Sequence, residues 1–339
     1  MIKYKLPVLF GALVFMTSVS YAITVSGAFD LERWDNMLND IRTKAASQNI
    51  SKSVIDETLK NPMFIPSIVK SDRNQSEFTL TLEQYLDRTV SPDRIEKGVN
   101  KRTEYPTMLH RIEQKYGIPS NVILAFWGME SNYGEVKSKH KLTNAFFTLI
   151  YDGRRAKFFS EQLLALMKIA DKNKLSINDI HGSWAGAMGH FQFIPTTLAK
   201  HGVDGNNDGC IDVINSVGDA MYSAANYLNK LGWNANEKIV RKVVVPANFN
   251  QKMLDGNVKK TVLEWKKMGI TNYDGSALPN ANMVAGLVAD TKEINKRKES
   301  NSDVAQTAYL TYPNFYRIKK WNNSSWYAIA IAELSEKLK

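Results

Sequence analysis

The stretch Ile123-Leu124-Ala125-Phe126-Trp127-Gly128-Met129-Glu130-Ser131-Asn132-Tyr133-Gly134 combines an apolar helical pattern with one carboxyl side chain. Pro119-Ser120 offers a helix start just before it. On a helix, Ile123, Trp127 and Glu130 are spaced i, i+4 and i+7 and therefore share one face. The pattern predicts a buried helix that carries Glu130 on an apolar wall.

Two interpretations of Glu130 follow from this placement. A carboxyl packed against tryptophan and aliphatic side chains is desolvated, so its pKa rises and it can act as a general acid near neutral pH. The alternative is a solvent-facing carboxylate at the end of a buried helix, because helix ends carry many carboxylates without a catalytic role. Spacing alone leaves both open.

A second segment, Gly182-Ser183-Trp184-Ala185-Gly186-Ala187-Met188-Gly189-His190-Phe191-Gln192-Phe193-Ile194-Pro195, mixes glycines, aromatic rings and hydrogen-bonding groups. Glycines let the backbone approach a ligand closely, and Ser183 and Gln192 among aromatic rings suit a sugar, which has apolar faces and polar substituents. A tight turn, with glycines for backbone reasons and aromatics in the core, explains the same composition.

The remaining pattern predicts helices first and a small sheet late in the chain. From Phe29 to His110 apolar residues recur at helical spacing, and Ser91-Pro92-Asp93 is typical of a helix start. Further helices are predicted at Asn121–Met129, Arg154–Ala170, Ala220–Leu228 and Trp326–Leu338. Strand-like runs are Ile239-Val240, Val243–Val245, Met283–Val288, Thr307–Thr311 and Phe315–Ile318, and Thr291–Ser302 is predicted to be an exposed loop.

Composition excludes several classes of protein. The 339 residues are 44% hydrophobic and 23% charged, as in ordinary globular chains. The single cysteine, Cys210, rules out an intramolecular disulfide and a cysteine-clustered zinc site. The five histidines show no metal-binding spacing. No phosphate-binding glycine loop or Gly-x-Ser-x-Gly elbow is present, which argues against nucleotide enzymes and serine hydrolases.

The first 22 residues are typical of a cleaved secretory signal. Lys3 and Lys5 precede an apolar run, and Ser20-Tyr21-Ala22 supplies small residues for cleavage. Since no cysteine follows Ala22, a lipid anchor is not expected at that site, and the predicted location is periplasmic. The signal holds two of the 44 basic and none of the 34 acidic residues, so the mature chain keeps a charge of +8. That charge favours an anionic polymer as partner. For a secreted chain, cell wall or membrane surface is a better candidate than nucleic acid, and charge alone does not choose between them.

Together these segments resemble the lytic murein transglycosylases of the MltB type, glycoside hydrolase family 103, through most of the mature chain. The Trp-Gly-x-Glu-Ser-x-Tyr-Gly pattern ending at Gly134 is similar to the family's catalytic-helix motif, and Gly182 to Pro195 to its groove motif. Tyr85 ahead of Ser91-Pro92-Asp93, and Pro313-Asn314-Phe315-Tyr316 followed by Trp321-Asn322 and Tyr327-Ala328, match in the same order.

The resemblance implies an α+β, mainly α, fold with a lysozyme-like catalytic core, an N-terminal helical domain and a small antiparallel β domain. The implied division is a signal peptide (1–22), a helical domain (23–110, completed by 326–339), the catalytic core (111–234) and the β-containing domain (235–325). Glu130 takes the position of the acid/base residue. The implied substrate-binding positions are Tyr85, Ser183, Gln192, Phe193, Tyr227, Asn322 and Tyr327. Trp321 stands where a tyrosine is usual, so the contact there lacks its hydroxyl.

The implied reaction cleaves the β-1,4 bond between N-acetylmuramic acid and N-acetylglucosamine in peptidoglycan and forms 1,6-anhydromuramoyl ends, with no cofactor required. Glycosidases commonly use two carboxylates, but the two groove motifs contain only Glu130. A hydrolytic muramidase that recruits Asp152 or another acid, and a non-catalytic wall-binding scaffold, remain alternatives. Peptidoglycan glycan strands are the expected partner, and cell-wall remodelling proteins are further candidates.

A third segment, Asp204-Gly205-Asn206-Asn207-Asp208-Gly209-Cys210-Ile211-Asp212, matches an EF-hand calcium loop at positions one to nine. The expected ligands are Asp204, Asn206, Asp208, Cys210, Asp212 and Asp219. Position twelve is Asn215 instead of glutamate, so Asp219 would have to reach back in an enlarged loop like the one the family carries. The alternative to a structural Ca²⁺ is a metal-free turn rich in Asx residues.

Overall fold

The computed structural model describes residues 29–74, 80–136, 138–291, 294–295 and 306–339. The predicted signal peptide lies outside these residues, as does most of the loop predicted at Thr291–Ser302. Helices dominate the described chain. They are α1 (Leu31–Ser47), α2 (Lys52–Thr58), α3 (Pro66–Arg73), α4 (Leu82–Thr89), α5 (Pro92–Glu104), α6 (Pro106–Tyr116), α7 (Ser120–Ser131), α8 (Leu142–Asp152), α9 (Ala156–Asn173), α10 (Pro195–His201), α11 (Val217–Lys230), α12 (Val262–Lys267), α13 (Pro313–Trp321) and α14 (Ser325–Lys337).

Local sequence signals set many of the helix starts. The Ser91 hydroxyl accepts a hydrogen bond from the Arg94 N–H, and Pro92 occupies the first turn, as predicted from Ser91-Pro92-Asp93. Thr81 and Gln84 cap α4 reciprocally. The helices predicted around Glu130, after Arg154, around Ala220 and at the C-terminus are all present, with ends displaced by one to three residues.

The late strand-like segments form a five-stranded antiparallel sheet. Its strands are β3 (Val240–Val245), β4 (Lys260–Thr261), β5 (Thr271–Asn272), β6 (Val284–Val288) and β7 (Gln306–Thr311), in the order β4-β6-β7-β3-β5. A separate short pair, β1 (His140–Lys141) with β2 (His181–Gly182), leads into the glycine-rich segment. The predicted strand at Phe315–Ile318 is wrong. It lies inside α13, where Pro313 begins the helix and Asn314, Phe315 and Ile318 form its buried side.

Two hydrophobic cores hold the molecule together. The larger runs through the helices from Trp34 to Leu338, and the smaller, from Val243 to Tyr312, lies under the sheet and α12. The small antiparallel domain therefore has a core of its own. The helices before and after the predicted boundary at 110/111 share one core, and that boundary falls inside α6, so their division into two domains stays a prediction.

The C-terminal helix returns to the centre of the fold. α14 packs against α7, α4 and α13, and the Asn121 amide of α7 donates to the Ser335 carbonyl oxygen at 2.9 Å. The packing brings residues 200 positions apart in sequence onto the end of α7. Among the described residues, no helix is both long enough and apolar enough to cross a membrane.

Candidate active site

Glu130 lies in the last turn of helix α7, at the less buried end of an otherwise buried helix. Residues Asn121 to Gly128 are buried, and the chain turns sharply after Ser131 because Asn132 and Tyr133 both adopt left-handed backbone conformations, with φ of 49° and 60°. Non-glycine residues seldom adopt this conformation, and two in succession mark a locally strained turn. The last turn of α7, with its half-buried Glu130, lies against the C-terminal helices.

Two donors from those C-terminal helices meet on one oxygen of Glu130. The Trp321 indole Nε1–H donates to Glu130 Oε1 at 2.9 Å, and the Tyr327 hydroxyl donates to the same oxygen at 2.5 Å. Both hydrogen bonds therefore end on Oε1 and not on Oε2. Because an indole N–H can only donate, Oε1 is held as an acceptor and a proton on the carboxyl belongs on Oε2.

The electrostatics of this site favour a protonated carboxyl. Burial raises the pKa of Glu130 to about 7, and the hydrogen bonds from Tyr327 and Trp321 act in the opposite direction. Burial also raises the pKa of the Tyr327 hydroxyl well above its usual range, and the nearby Glu130 and Tyr85 add to this. Tyr327 therefore stays neutral, and Glu130 carries its proton at a pH where an exposed glutamate would not.

Ile123 and Trp127, the apolar residues predicted to share a helix face with Glu130, do not supply its hydrogen-bond partners. Ile123 and Trp127 are buried, but the Trp127 indole N–H donates to His190 Nδ1 at 3.0 Å. The groups that bond to Glu130 come from α13 and α14 instead. His190, one of the five histidines without metal-binding spacing, thus joins the glycine-rich segment to α7. Its carbonyl oxygen also accepts from the Ser131 hydroxyl at 2.7 Å.

The glycine-rich segment folds as a compact turn beside α7. The Ser183 hydroxyl accepts from the Ala187 N–H at 3.1 Å, and a Cβ at left-handed Gly186 would collide with the Phe146 ring. Packing therefore explains this glycine, as the tight-turn interpretation holds. Gln192, however, is forced into the left-handed region at φ 46°, with its Nε2 donating to the Gly189 carbonyl oxygen at 2.9 Å. Strain at a polar residue of this kind is typical of functional sites.

Two of the predicted substrate-binding residues, Phe193 and Tyr227, contact the ring of Trp321. Its ring centroid lies 5.3 Å from that of Phe193 and 5.1 Å from that of Tyr227. Tyr85 packs 5.8 Å from Trp326, beside Tyr327. Ser183 and Gln192 lie on the glycine-rich turn, and Asn322 is exposed directly after Trp321. Sequence reasoning missed the donor role of Trp321, and its place beside Asn322 in the closing motif was the available signal.

The predicted calcium loop has the expected backbone shape. Gly209, at the sixth position, has a φ of 88°, the left-handed conformation that the sharp turn of an EF-hand loop needs. The Asn206 amide donates to Asp208 Oδ2 at 2.8 Å, and the Asp208 N–H donates to Asp204 Oδ1 at 3.3 Å. The Asn206 and Asp208 side chains therefore contact each other, and the Asp204 carboxylate accepts from the loop backbone. Carboxylate and amide oxygens are ligands of the kind that Ca²⁺ prefers.

Asp219 lies under this loop, fully buried. Its carboxylate accepts N–H groups from Gly205 and Asp212, each at 2.8 Å. Burial raises the pKa of the Cys210 thiol, and the carboxylates of Asp208, Asp212, Asp219 and Asp204 raise it further. No group of three His, Cys, Asp or Glu side chains in the described ranges is arranged to hold a metal ion, so calcium at this loop stays a prediction.

Known proteins share this architecture. The sequence matches the family described as Transglycosylase SLT domain over residues 33–336. Membrane-bound lytic murein transglycosylase B of Escherichia coli (strain K12) is 29% identical, over 92% of this chain and 89% of its own. SltB3 from Pseudomonas aeruginosa in complex with NAG-NAM-pentapeptide is 33% identical with a TM-score of 0.82, covering 90% of this chain and 79% of that one.

The Escherichia coli lytic transglycosylase Slt35 in complex with calcium is 24% identical with a TM-score of 0.74, over 90% of this chain and 92% of that one, a likeness of fold. These relatives confirm the α+β, mainly α, fold with its lysozyme-like core. The family match covers nearly all of the described residues. The chain therefore belongs to the Transglycosylase SLT domain family, as an enzyme of the lytic murein transglycosylase B type.

Proposed function

We propose that this enzyme cleaves the β-1,4 bond between N-acetylmuramic acid and N-acetylglucosamine in peptidoglycan and forms 1,6-anhydromuramoyl ends. The observation that carries the proposal is the carboxyl of Glu130, with a pKa raised by burial to about 7 and both donors on Oε1. A carboxyl with its pKa near the working pH can both donate and accept a proton. One residue can thus serve both halves of the reaction.

In the first half, Glu130 gives the proton on Oε2 to the glycosidic oxygen, and the C1–O bond breaks with its electron pair going to that oxygen. In the second half, the muramoyl 6-hydroxyl oxygen attacks C1, and its proton passes to the Glu130 carboxylate. The ring closes as the 1,6-anhydro product, the acid is regenerated and no water is consumed. A tethered nucleophile has an entropic advantage, since effective molarities can reach roughly 10⁵ M.

Seven residues are proposed to hold the glycan strand. Aromatic rings would pack on sugar faces, and the polar groups of the glycine-rich turn would bond to hydroxyl and acetamido substituents. The contacts around Trp321 and Glu130 support this assignment for part of the set. The proposed residues are Tyr85, Ser183, Gln192, Phe193, Tyr227, Asn322 and Tyr327.

A hydrolytic muramidase is the first alternative, and it would need a second carboxylate to activate water. Asp152, the candidate from the sequence, pairs with Arg73 at 2.6 Å and its side chain is only 3% exposed. It ends α8, whose first residue Leu142 packs under Gly182 of the glycine-rich turn, so about 15 Å of helix separates Asp152 from that turn. This placement favours the transglycosylase.

The products of digestion in ¹⁸O-labelled water test the proposal. We expect muropeptides that weigh one water less than hydrolytic products and carry no label, because the 6-hydroxyl replaces water. Glu130→Gln should abolish lysis, since it removes the proton donor at nearly constant size. Labelled reducing muramic ends would establish the hydrolase instead. Lytic activity of Glu130→Gln within tenfold of wild type would exclude Glu130 as the acid, and no release by wild type would favour the non-catalytic scaffold.

We also propose that Ca²⁺ binds the loop Asp204–Asp212 as a structural ion, with no role in the chemistry. The left-handed Gly209 and the carboxylates of Asp204 and Asp208 within one loop support this. Since a ligand that binds only the folded state stabilises it, millimolar calcium should raise the melting temperature of wild type but not of Asp208→Ala. An equal shift in both proteins, or none in wild type, would leave the loop as a metal-free turn.

The proposed location is the periplasm, reached by a cleaved signal and without a lipid anchor, in contact with peptidoglycan and with wall-remodelling proteins. The basic n-region, apolar run and Ser20-Tyr21-Ala22 support the cleavage. The mass of the protein recovered from the periplasm should correspond to a chain that begins near Ile23. A mass that retains residues 1–22, or that includes a lipid, would contradict this location.

A further inference from the structure

One face of helix α13 packs on the catalytic core, and an adjacent face lines a cavity. Asn314, Ile318 and Trp321, at i, i+4 and i+7, face the catalytic core, where Trp321 donates to Glu130. Pro313, Tyr316, Arg317 and Lys320 follow one another along an adjacent face and line a cavity of about 440 Å³. The other walls of this cavity, called here the α13 cavity, are Leu231, Gly232, Lys259, Val284 and Thr311.

The α13 cavity is lined by three cationic side chains. The Lys259 ammonium lies 3.3 Å from the ring centroid of Tyr316 and donates to the Gly256 carbonyl oxygen at 2.6 Å, so it is fixed in place. The Arg317 guanidinium forms an ion pair with the Glu237 carboxylate, with 3.0 Å between Nη1 and Oε2. Lys320 forms no ion pair or hydrogen bond with any residue that the structure describes.

Glu237 neutralises the Arg317 charge, but neither Lys259 nor Lys320 forms an ion pair within the described ranges. Burial lowers the pKa of Lys259, the nearby Lys319 lowers it further, and Asp255 opposes them with a smaller effect. Lys319 itself donates to the Ser325 hydroxyl and is not part of an ion pair in the described ranges. Like charges held together in a partly desolvated wall are costly, and an anionic ligand would relieve that cost.

The α13 cavity is connected to Glu130 through Trp321 and the helix that carries it. Lys320 is adjacent in the chain to Trp321, and the whole helix from Pro313 to Trp321 spans only about 12 Å. Helix α11 also runs from the surroundings of Trp321 to the cavity. Tyr227 contacts Trp321, and Leu231, four residues later, lines the cavity. A substrate in the groove at Glu130 would therefore have its side branches within reach of the cavity.

We propose that the α13 cavity binds the carboxylates of the peptide stem attached to the muramoyl sugar, through Lys259, Arg317 and Lys320. This rests on the proposed function, since peptidoglycan is the substrate whose lactyl-linked peptides carry free carboxylates beside the cleaved bond. Guanidinium and ammonium groups form charge-assisted hydrogen bonds with carboxylates. Tyr316 supplies an apolar surface for the peptide chain. The enzyme would accordingly prefer glycan strands that carry peptides over bare ones.

Three substrates separate the contribution of the stem from that of the glycan: peptidoglycan with intact stems, the same strands stripped of stems by an amidase, and strands whose stem carboxylates are converted to methylamides. The measurement is kcat/KM for product release. For wild type, we expect the preference for intact over stripped strands to be at least about fivefold, and methylamidation to remove most of it.

Two variants test the cations directly. Lys320→Glu reverses an exposed charge, and Lys259→Met keeps the aliphatic stem over Tyr316 while removing the charge. Each should reduce the preference for intact strands about fivefold or more. Lys252→Glu is the matched control, because Lys252 is an exposed lysine of the same small domain, and it should leave the preference unchanged.

The outcomes distinguish this inference from the proposed function. Release of anhydro products by wild type, together with preferences unchanged within twofold in both variants, would overturn the stem site alone. Equal loss on intact and stripped strands would also overturn it, because the effect would then lie on the glycan or the fold. Failure of wild type to form anhydro ends on any of the three substrates would instead remove the proposed function.

Discussion

At the scale of single residues, the proposed chemistry depends on the two hydrogen-bond donors to Glu130. Trp321, at the position where the resemblance implies a tyrosine, donates its indole N–H to Glu130 at 2.9 Å. An indole cannot ionise or accept a hydrogen bond, unlike a phenol. Trp321 therefore holds Oε1 as an acceptor at every working pH.

Replacing Trp321 should change the pH dependence of catalysis. The Trp321 hydrogen bond lowers the pKa of Glu130, so Trp321→Phe should raise that pKa and move the basic limb of kcat/KM to higher pH. A hydrogen bond to an ionised acceptor exceeds one to a neutral acceptor by about 1 kcal/mol, which corresponds to roughly half a unit to one unit. Trp321→Tyr restores a donor and should keep the limb near its wild-type position. A limb that stays in place in Trp321→Phe, or moves to lower pH, would contradict this role.

At the scale of elements, α13 shows what local sequence can and cannot predict. The run Phe315-Tyr316-Arg317-Ile318 has strand-like composition, yet it is helical because Pro313 starts a helix and residues 314, 315 and 318 bury one side. Composition alone cannot reveal that tertiary packing. By contrast, α7 was predictable because its apolar pattern is continuous over three turns and its start is marked.

The same contrast holds at the site. The sequence predicts Glu130 on a buried helix, which the structure has, and a raised pKa is one of the two interpretations that the spacing leaves open. The hydrogen-bond donors to Glu130 could not be predicted, because Trp321 and Tyr327 are 191 and 197 residues away along the chain. The residues that act on the acid belong to the elements that are folded over it, and their contact distances depend on the packing of α14 on α7.

At the scale of the whole molecule, Glu130 lies beside the larger of the two hydrophobic cores. The smaller core under the sheet is separate, and α13, which follows β7, packs Phe315, Ile318 and Trp321 against the larger core. The groups that bond to Glu130 therefore reach it only when the end of the chain is folded onto that core. Burying a carboxyl there affects global stability as well as activity.

The free energies of unfolding of wild type and of Glu130→Gln should differ in their pH dependence. In the folded wild type the pKa of Glu130 is about 7, above the ordinary value of 4.5, so between those pH values the folded chain binds more protons than the unfolded one. Its contribution to stability is complete below pH 4.5 and is lost as the pH rises through 7. Glutamine mimics the protonated acid at all pH values, so relative to wild type the variant should gain ~3 kcal/mol between pH 4 and pH 8.

Urea denaturation of both proteins at the two pH values measures that gain. Other titrating groups are common to wild type and variant, so they cancel in the difference. A stability difference that does not change between pH 4 and pH 8 would show that Glu130 titrates as an exposed carboxyl. A change of the opposite sign would mean that the hydrogen bonds from Tyr327 and Trp321 outweigh burial.

The placement of both donors on Oε1 has a consequence for repeated turnover. The two oxygens of a free carboxyl are interchangeable by rotation about the Cγ–Cδ bond, but Glu130 is prevented from rotating freely by two hydrogen bonds to one oxygen. In the proposed reaction the proton must therefore depart from Oε2 and return to Oε2. The end of one catalytic cycle is then already the beginning of the next, and the side chain needs no resetting step between successive cuts along a glycan strand.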